Sequence, residues 1–310
     1  MQYNRTKTDG EKTYSIDRFT FNVFFVPQKG LTEKIRSALD VQVVGTRQKM
    51  DVENFVTKKY GDPREIYQFG GFHVELYERE NPVRLGGVDD ETGDPRVSYA
   101  RGVRQTCLRL DFNPNKCAEN PVTDAVMHFL ANTWNEFPYT WSLSRVDYAL
   151  DVPGVPDDYY VLSRKTERFY GNTRYYGVKG GNGCLKVYDK RQEQKDKERV
   201  DIGRDLTRFE WSQMGNRDFE FKFDEIAHFI PGEGGTVAAL LKFCRPELMN
   251  NALGVLDKRT RKKVKEQCFH PLTLDPSQFE ILLAEYLVEY GIPLDLRRDW
   301  EKQFPKVSAG

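Results

Sequence analysis

Histidine is scarce in this chain of 310 residues: His73, His128, His228 and His270 are the four present, and no two form an HxH or HExxH pair. That spacing excludes nickases built on a histidine-held metal and the common zinc hydrolases. The five cysteines (107, 117, 184, 244 and 268) stand far apart with no CxxC pair, so neither a zinc site nor a disulfide framework is expected, and a reducing cytoplasm fits. No run of about 18 apolar residues occurs, which excludes a membrane span of the helical kind. The opening MQYNRTKTDGEKTYSIDRF lacks the apolar core of a secretory signal, so the expectation is a protein that stays where it is made. No GxxxxGK[ST], GxSxG or kinase set is present, and Gly232-Glu233-Gly234-Gly235, lacking the lysine of a phosphate-binding loop, is expected to be a hinge. Net charge is zero, with 47 basic and 47 acidic residues, so no simple basic coat for nucleic acid exists.

What is present is charge in patches and a strongly alternating pattern. Residues 257 to 266, DKRTRKKVKE, hold six basic residues against two acidic, and residues 186 to 199 hold six against four; Lys258, Arg259, Arg261, Lys262 and Lys263 are therefore candidate phosphate contacts. Period-two alternation marks strands at 20–26, 72–77, 106–112, 142–152, 174–179, 184–189 and 206–212. Helices are expected at 32–39, 51–59, 122–135 and 156–168. Asn182-Gly183 signals a tight turn that makes 174–189 a hairpin, and residues 80–102 read as a surface loop or extended hairpin tip. After Arg217 the pattern turns helical, at 218–229, 236–256 and 276–290, the last with Asp275 as cap, Pro276 in the first turn and Gly291 at the end. The expected fold is α+β: a largely antiparallel twisted sheet with helices covering one face, in a catalytic domain 1–217, followed by a smaller helical region 218–310.

Side chains two apart in a strand share a face. In SRVDYALDV, Arg145, Asp147, Ala149 and Asp151 oppose Val146, Tyr148, Leu150 and Val152. In CLKVYDK, Lys186, Tyr188 and Lys190 oppose Leu185 and Val187; in LTRFEWS, Arg208, Glu210 and Ser212 oppose Phe209 and Trp211. If the apolar sides rest on one core, the charged set and Tyr188 crowd one sheet surface. Carboxylates are depleted in strand interiors, and clustered ones repel unless a cation joins them; an all-oxygen set of Asp147, Glu210 and Asp151 suits Mg²⁺ or Mn²⁺.

A phenol has a pKa near 10, so only about 0.1% is ionised at neutral pH. Flanking Lys186 and Lys190 are expected to favour the phenolate, and a metal would polarise a phosphate oxygen opposite it. Attack on a DNA phosphodiester then yields a phosphotyrosine bond and a free sugar hydroxyl, and resealing needs no ATP. Tyr175 and Tyr176, on the hairpin's other strand, are rival nucleophiles or stacking residues.

SRVDYALD, LKVYDKRQEQ and TRFEWSQMGNR resemble, in order and spacing, the signatures of the Rep_trans family, the tyrosine initiators of rolling-circle plasmid replication, over about residues 15–217; SIDRFTF is similar to the family's beginning. The resemblance implies Tyr188 as nucleophile, Asp147 and Glu210 as leading metal ligands, and Arg145 and Arg208 as phosphate or structural partners. Asp151, Lys190 and Glu193 match family positions, Glu193 as metal ligand or base; Arg191 joins Lys186 as an expected DNA contact. It further implies a homodimer that recognises a hairpin-forming origin, nicks one strand, stays on the 5′ end, leaves a 3′ hydroxyl as primer, and works with a host superfamily 1 helicase. Conjugative relaxases share the domain and commonly add an N-terminal helix-turn-helix, so the short lead before the first strand favours the initiator. A non-catalytic repressor on the same scaffold is the remaining alternative.

Overall fold

The computed structural model of the chain describes residues 6–47, 52–59, 62–69, 72–88, 95–119, 132, 139–162, 168–179, 181–214, 226–230, 235–241, 243–244 and 246–289. In chain order these form β1 (Thr6–Asp9), β2 (Lys12–Phe25), α1 (Leu31–Arg47), β3 (Val52–Lys59), β4 (Asp62–Phe69), β5 (Phe72–Val88), β6 (Pro95–Phe112), α2 (Pro114–Glu119), β7 (Tyr139–Pro153), β8 (Tyr159–Val161), β9 (Arg168–Tyr170), β10 (Thr173–Tyr176), β11 (Cys184–Asp189), α3 (Lys190–Glu198), β12 (Leu206–Met214), β13 (Ile226–Phe229), α4 (Gly235–Leu241), α5 (Pro246–Val255), α6 (Lys258–Cys268), β14 (Phe269–Pro271) and α7 (Ser277–Glu289). The architecture is α+β, and every strand pair described is antiparallel. No described helix is long and apolar enough to cross a membrane.

The chain forms two compact units, and the division differs from the expected boundary at 217. One unit holds residues 1–17, 146–214 and 218–283; the other holds 18–145, 215–217 and 284–310. Aromatic packing explains why the C-terminal helices belong with the later strands. Phe279 of α7 sets its ring 5.1 Å from Tyr14, 5.1 Å from Tyr148 and 6.5 Å from Trp211, and all four are almost fully buried. Side chains of that size supply the largest part of a core's driving force, each worth about 1.5–3 kcal/mol for its transfer alone. A satellite core lies under α4, α5 and α6, where Ala238, Leu241, Met249, Leu253, Val264 and Cys268 close over Ala227 and Phe229 of β13.

In the other unit, Phe19, Phe21, Phe72 and Phe112 stack at centroid distances of 5.4–6.1 Å. Helix α1 buries Leu31, Ile35 and Leu39, four residues apart and thus on one face. Thr32 ties it down, donating to Glu78 of β5 and sharing a 2.8 Å hydrogen bond with Thr106 of β6. The expected extended hairpin at 80–102 is the far part of β5 and β6, paired from Phe72↔Phe112 to Val88↔Pro95 with a register shift between Asn81 and Val83.

Four expected helices, at 51–59, 156–168, 218–229 and 236–256, differ. Residues 52–59 are strand β3, because pairing with β4 along its whole length satisfies the backbone, and β-branched Val52, Val56 and Thr57 suit a strand. Residues 156–161 are a single 3₁₀ turn followed by β8, since Pro156 fixes the first turn and the tyrosines and valine that follow favour a strand. Residues 226–229 are strand β13, held between β8 and β14. The stretch 236–256 is two helices, broken before Pro246. The helix expected at 122–135 lies outside the described residues, apart from residue 132.

The hairpin that carries the site follows its turn chemistry. Gly183 adopts φ +70°, a left-handed backbone that only glycine takes freely, and its N–H donates to Ser212 O at 2.8 Å. Asn182 Oδ1 accepts from Met214 N at 3.0 Å. The turn is thereby stapled to β12 as well as to its own strands.

Candidate active site

Strand β11 lies between β10 and β12, and register decides who meets whom. Across β11 and β12, Lys186 faces Glu210 and Tyr188 faces Arg208; Leu185 faces Trp211 and Val187 faces Phe209. The second set is fully buried, so the alternation puts the first set together on the opposite face. Across β10 and β11, Tyr175 faces Lys186. Tyr188 is one residue from the end of its strand: Asp189 caps α3, accepting from Gln192 N at 2.9 Å. Strand and capped helix thus fix the tyrosine from both sides.

A cleft of about 450 Å³ opens here, and Tyr188, Lys186, Glu210, Glu193 and Tyr175 all line it. Tyr188 is half-buried, and its hydroxyl donates to Glu210 Oε2 at 3.4 Å. Glu210 Oε1 accepts from Lys186 Nζ. Lys190 Nζ donates to Glu193 Oε2, and Lys197 Nζ to Glu193 Oε1, each at 2.7 Å.

Part of the polar face is closed to water. Arg208 and Glu210 are each 7% exposed and Asp147 is 3% exposed, so their charges must be compensated by protein. Arg208 is enclosed: Nε and Nη2 donate to the two oxygens of Asp151, and Nη1 donates to Asp17 Oδ2, all at 2.6 Å. Burial alone would lower the guanidinium's pKa, but the bond to Asp151 and the charges of Asp17 and Asp151 outweigh it and push it up. Burial pushes the Glu210 carboxyl up; Lys186 opposes this, and the charges of Asp147 and Asp17 add to it.

These contacts revise several expectations. Asp151, expected as a metal ligand, gives both its oxygens to hydrogen bonds from Arg208 and acts here as that guanidinium's counter-ion. Arg208 is correspondingly a buried strut, not a free phosphate contact. Among the described residues no three His, Cys, Asp or Glu side chains are grouped so as to hold a metal ion, so the expected three-carboxylate set does not form; Asp147 and Glu210 remain as an adjacent pair of acids. The flanking lysines do not bring the Tyr188 phenol down. Burial pushes it well up, Arg208 works against this, and Glu210, Glu193 and Asp17 add to the rise; Lys186 and Lys190 are each spent on a carboxylate. Glu193 is a poor base: burial would raise it, but hydrogen bonds from Lys190 and Lys197 outweigh burial and hold it at about 2.

Of the expected DNA contacts, Arg191 binds Asp201 and Asp205 at 2.8–3.2 Å. Arg261 donates to the carbonyls of Gly254 and Leu256, both at 2.8 Å, and so caps the end of α5 instead of reaching outward. Lys258, Arg259, Lys262 and Lys263 are exposed on α6, with Lys262 3.7 Å from Glu266. Arg145 is half-buried and belongs to the other unit. Sequence analysis missed Asp17, whose signal was a carboxylate inside the otherwise apolar-alternating strand β2.

The fold and the cleft define a class: an α+β chain whose antiparallel sheet presents a phenol, the carboxylates of Glu193 and Glu210 and lysines in one cleft, with Asp147 close enough for its charge to act on Glu210. The chain is similar to replication initiation proteins of Staphylococcus aureus, being 30% identical to one over 103 residues, 31% of this chain and 32% of that protein. To a second it is 33% identical over 97 residues, 29% of each. The matches thus span about a third of these relatives' length. Among solved structures, a rolling-circle replication initiator protein from Geobacillus stearothermophilus aligns with 88% of this chain and 96% of its own, at 12% identity and a TM-score of 0.37. No family model matches the chain.

Proposed function

We propose that this chain initiates rolling-circle plasmid replication by nicking and rejoining one DNA strand through Tyr188. The observation that carries the proposal is the single cleft lined by Tyr188, Glu210 and Lys186, with the phenol donating to the carboxylate. Likeness to initiation proteins over about a third of the chain supports it.

The chemistry follows from the contacts. Tyr188 Oη attacks the scissile phosphorus while its proton passes to Glu210 Oε2; the bond from phosphorus to the 3′ oxygen breaks, and that oxygen leaves as a hydroxyl by taking a proton from solvent. The 5′ phosphate stays on Tyr188, so the bond energy is kept for rejoining. A carboxyl raised by burial is a better proton acceptor than an ordinary one, which favours Glu210 over Glu193 for this role. The raised phenol requires positive charge nearby when substrate binds. Asp147 and Glu210, two close acids whose repulsion a cation would relieve, are the residues that would hold Mg²⁺ or Mn²⁺, which would supply that charge and polarise the phosphate. Lys186 is placed to compensate Glu210 until then. Origin DNA is the proposed substrate, a host superfamily 1 helicase the partner and a homodimer the working state; the exposed lysines of α6 are proposed duplex contacts.

The test is incubation of Tyr188→Phe and the unmodified protein with supercoiled plasmid carrying the origin, plus Mn²⁺. Loss of nicking with retained DNA binding supports the proposal, as does a covalent nucleotide adduct on a peptide containing residue 188. Unchanged nicking by Tyr188→Phe moves the nucleophile elsewhere. An unmodified protein that binds DNA but never nicks it leaves a repressor.

A further inference from the structure

The rim of the cleft carries an aromatic group that none of the chemistry above uses. Strands β9 and β10 are joined by Gly171 and Asn172, with Tyr170 pairing Thr173. Gly171, Asn172, Thr173 and Tyr175 line the same cleft as Tyr188, so the tip of this hairpin forms one wall of it. Tyr175 is buried and faces Lys186 across the strand pair. Tyr170 is 48% exposed, unusually open for a ring of its size. The two rings meet edge to face, centroids 5.5 Å apart and planes at 84°. Lys179 places its ammonium 4.0 Å from the centre of the Tyr170 ring and 5.4 Å from that of Tyr175.

Each component has a physical meaning. An edge-to-face neighbour fixes the orientation of Tyr170 while leaving much of its surface to solvent. The Lys179 ammonium lies over one face of the Tyr170 ring, so a base would stack on the opposite face, and the cation adds charge suited to a phosphate. Exposed aromatic and lysine together, next to a site for a phosphodiester, match what single-stranded nucleic acid offers: a flat base and the next backbone charge. Gly171 at φ +56° permits the tight turn that sets Tyr170 beside the cleft.

We infer that Tyr170, braced by Tyr175 and flanked by Lys179, is a stacking site for an unpaired base of the strand whose phosphate enters at Tyr188. The inference rests on the proposed function and specifies its substrate further: the DNA is unpaired at the cleft, and it is held there by a base's ring face without regard to base identity.

The probe is a fluorescein-labelled oligothymidylate of about 16 nucleotides, the upper site size of single-strand grooves, compared by anisotropy with an abasic oligomer of equal length and charge. Measurements use the Tyr188→Phe background, so no cleavage intervenes. Stacking is worth roughly 5- to 150-fold per base; an expected loss of about 10-fold on removing the bases should vanish in Tyr170→Ala and persist in Tyr170→Phe. Lys179→Met should weaken both oligomers and reduce the salt slope by about 0.7. Equal base dependence in Tyr170→Ala and its parent overturns the inference. If Tyr188→Phe alone nicks plasmid normally, the proposed function fails instead, so the two failures are distinguishable.

Discussion

Removing Arg208 tests the electrostatic design most directly. Its side chain is 9% exposed, against 13% for Asp151 and 17% for Asp17, and three hydrogen bonds of 2.6 Å join them. Arg208→Met keeps most of the volume but leaves two carboxylates facing each other with little water. Breaking a buried pair by deleting one partner costs about 3–5 kcal/mol, and here one deletion strands two acids, so the upper half of that range is expected. Urea unfolding followed by circular dichroism measures it, with each transition fitted separately because the chain has two compact units. Asp151→Asn in the same background should cost less than it does alone, a coupling of about 1–3 kcal/mol. Salt dependence of DNA binding supplies the opposing arm: a strut leaves the slope unchanged, whereas a phosphate contact reduces it by about 0.7–0.9 when removed. Destabilisation under about 1 kcal/mol with additive substitutions, or a reduced slope, would refute the strut and restore Arg208 to the DNA.

Three further outcomes are expected. Glu193→Gln should destabilise the protein by about 1–2 kcal/mol at neutral pH. Because the carboxyl is depressed to about 2, its contribution is present above the ordinary carboxylate range and is lost as pH falls toward 2, so the thermal-melting gap between variant and parent should close on acidification. Arg261→Ala should cost about 1 kcal/mol by uncapping Gly254 and Leu256 while leaving DNA affinity unchanged; a drop in affinity without a stability change would return Arg261 to the duplex contacts. Gly183→Ala, forced into a left-handed backbone, should lower stability by about 1 kcal/mol and slow nicking, since the turn aims β11; unaltered melting would show that the turn relaxes freely.

Alternation alone determined that Lys186 and Tyr188 share a face, that Arg208 and Glu210 share another, and that Leu185, Val187, Phe209 and Trp211 turn inward. Period two is a local property of an extended backbone, so it is written in every strand. The Asn182-Gly183 turn and the helix at 277–289 were legible for the same reason, each depending on residues within a few positions of itself. What only the tertiary structure decided is which of those faces meet, and what covers them. Asp17 and Arg208 lie 191 positions apart, and no local rule pairs them. Once paired with Asp151 as well, they draw one expected metal ligand and one expected phosphate contact into a buried ion-pair cluster. Residues 52–59 became a strand by pairing with the following 62–69 and residues 226–229 by pairing with 159–161 and 269–271, and a backbone's choice between helix and strand follows whichever partner satisfies it. The height of the Tyr188 phenol likewise comes from burial and the sum of surrounding charges, a field assembled from several strands that exists only after they pack.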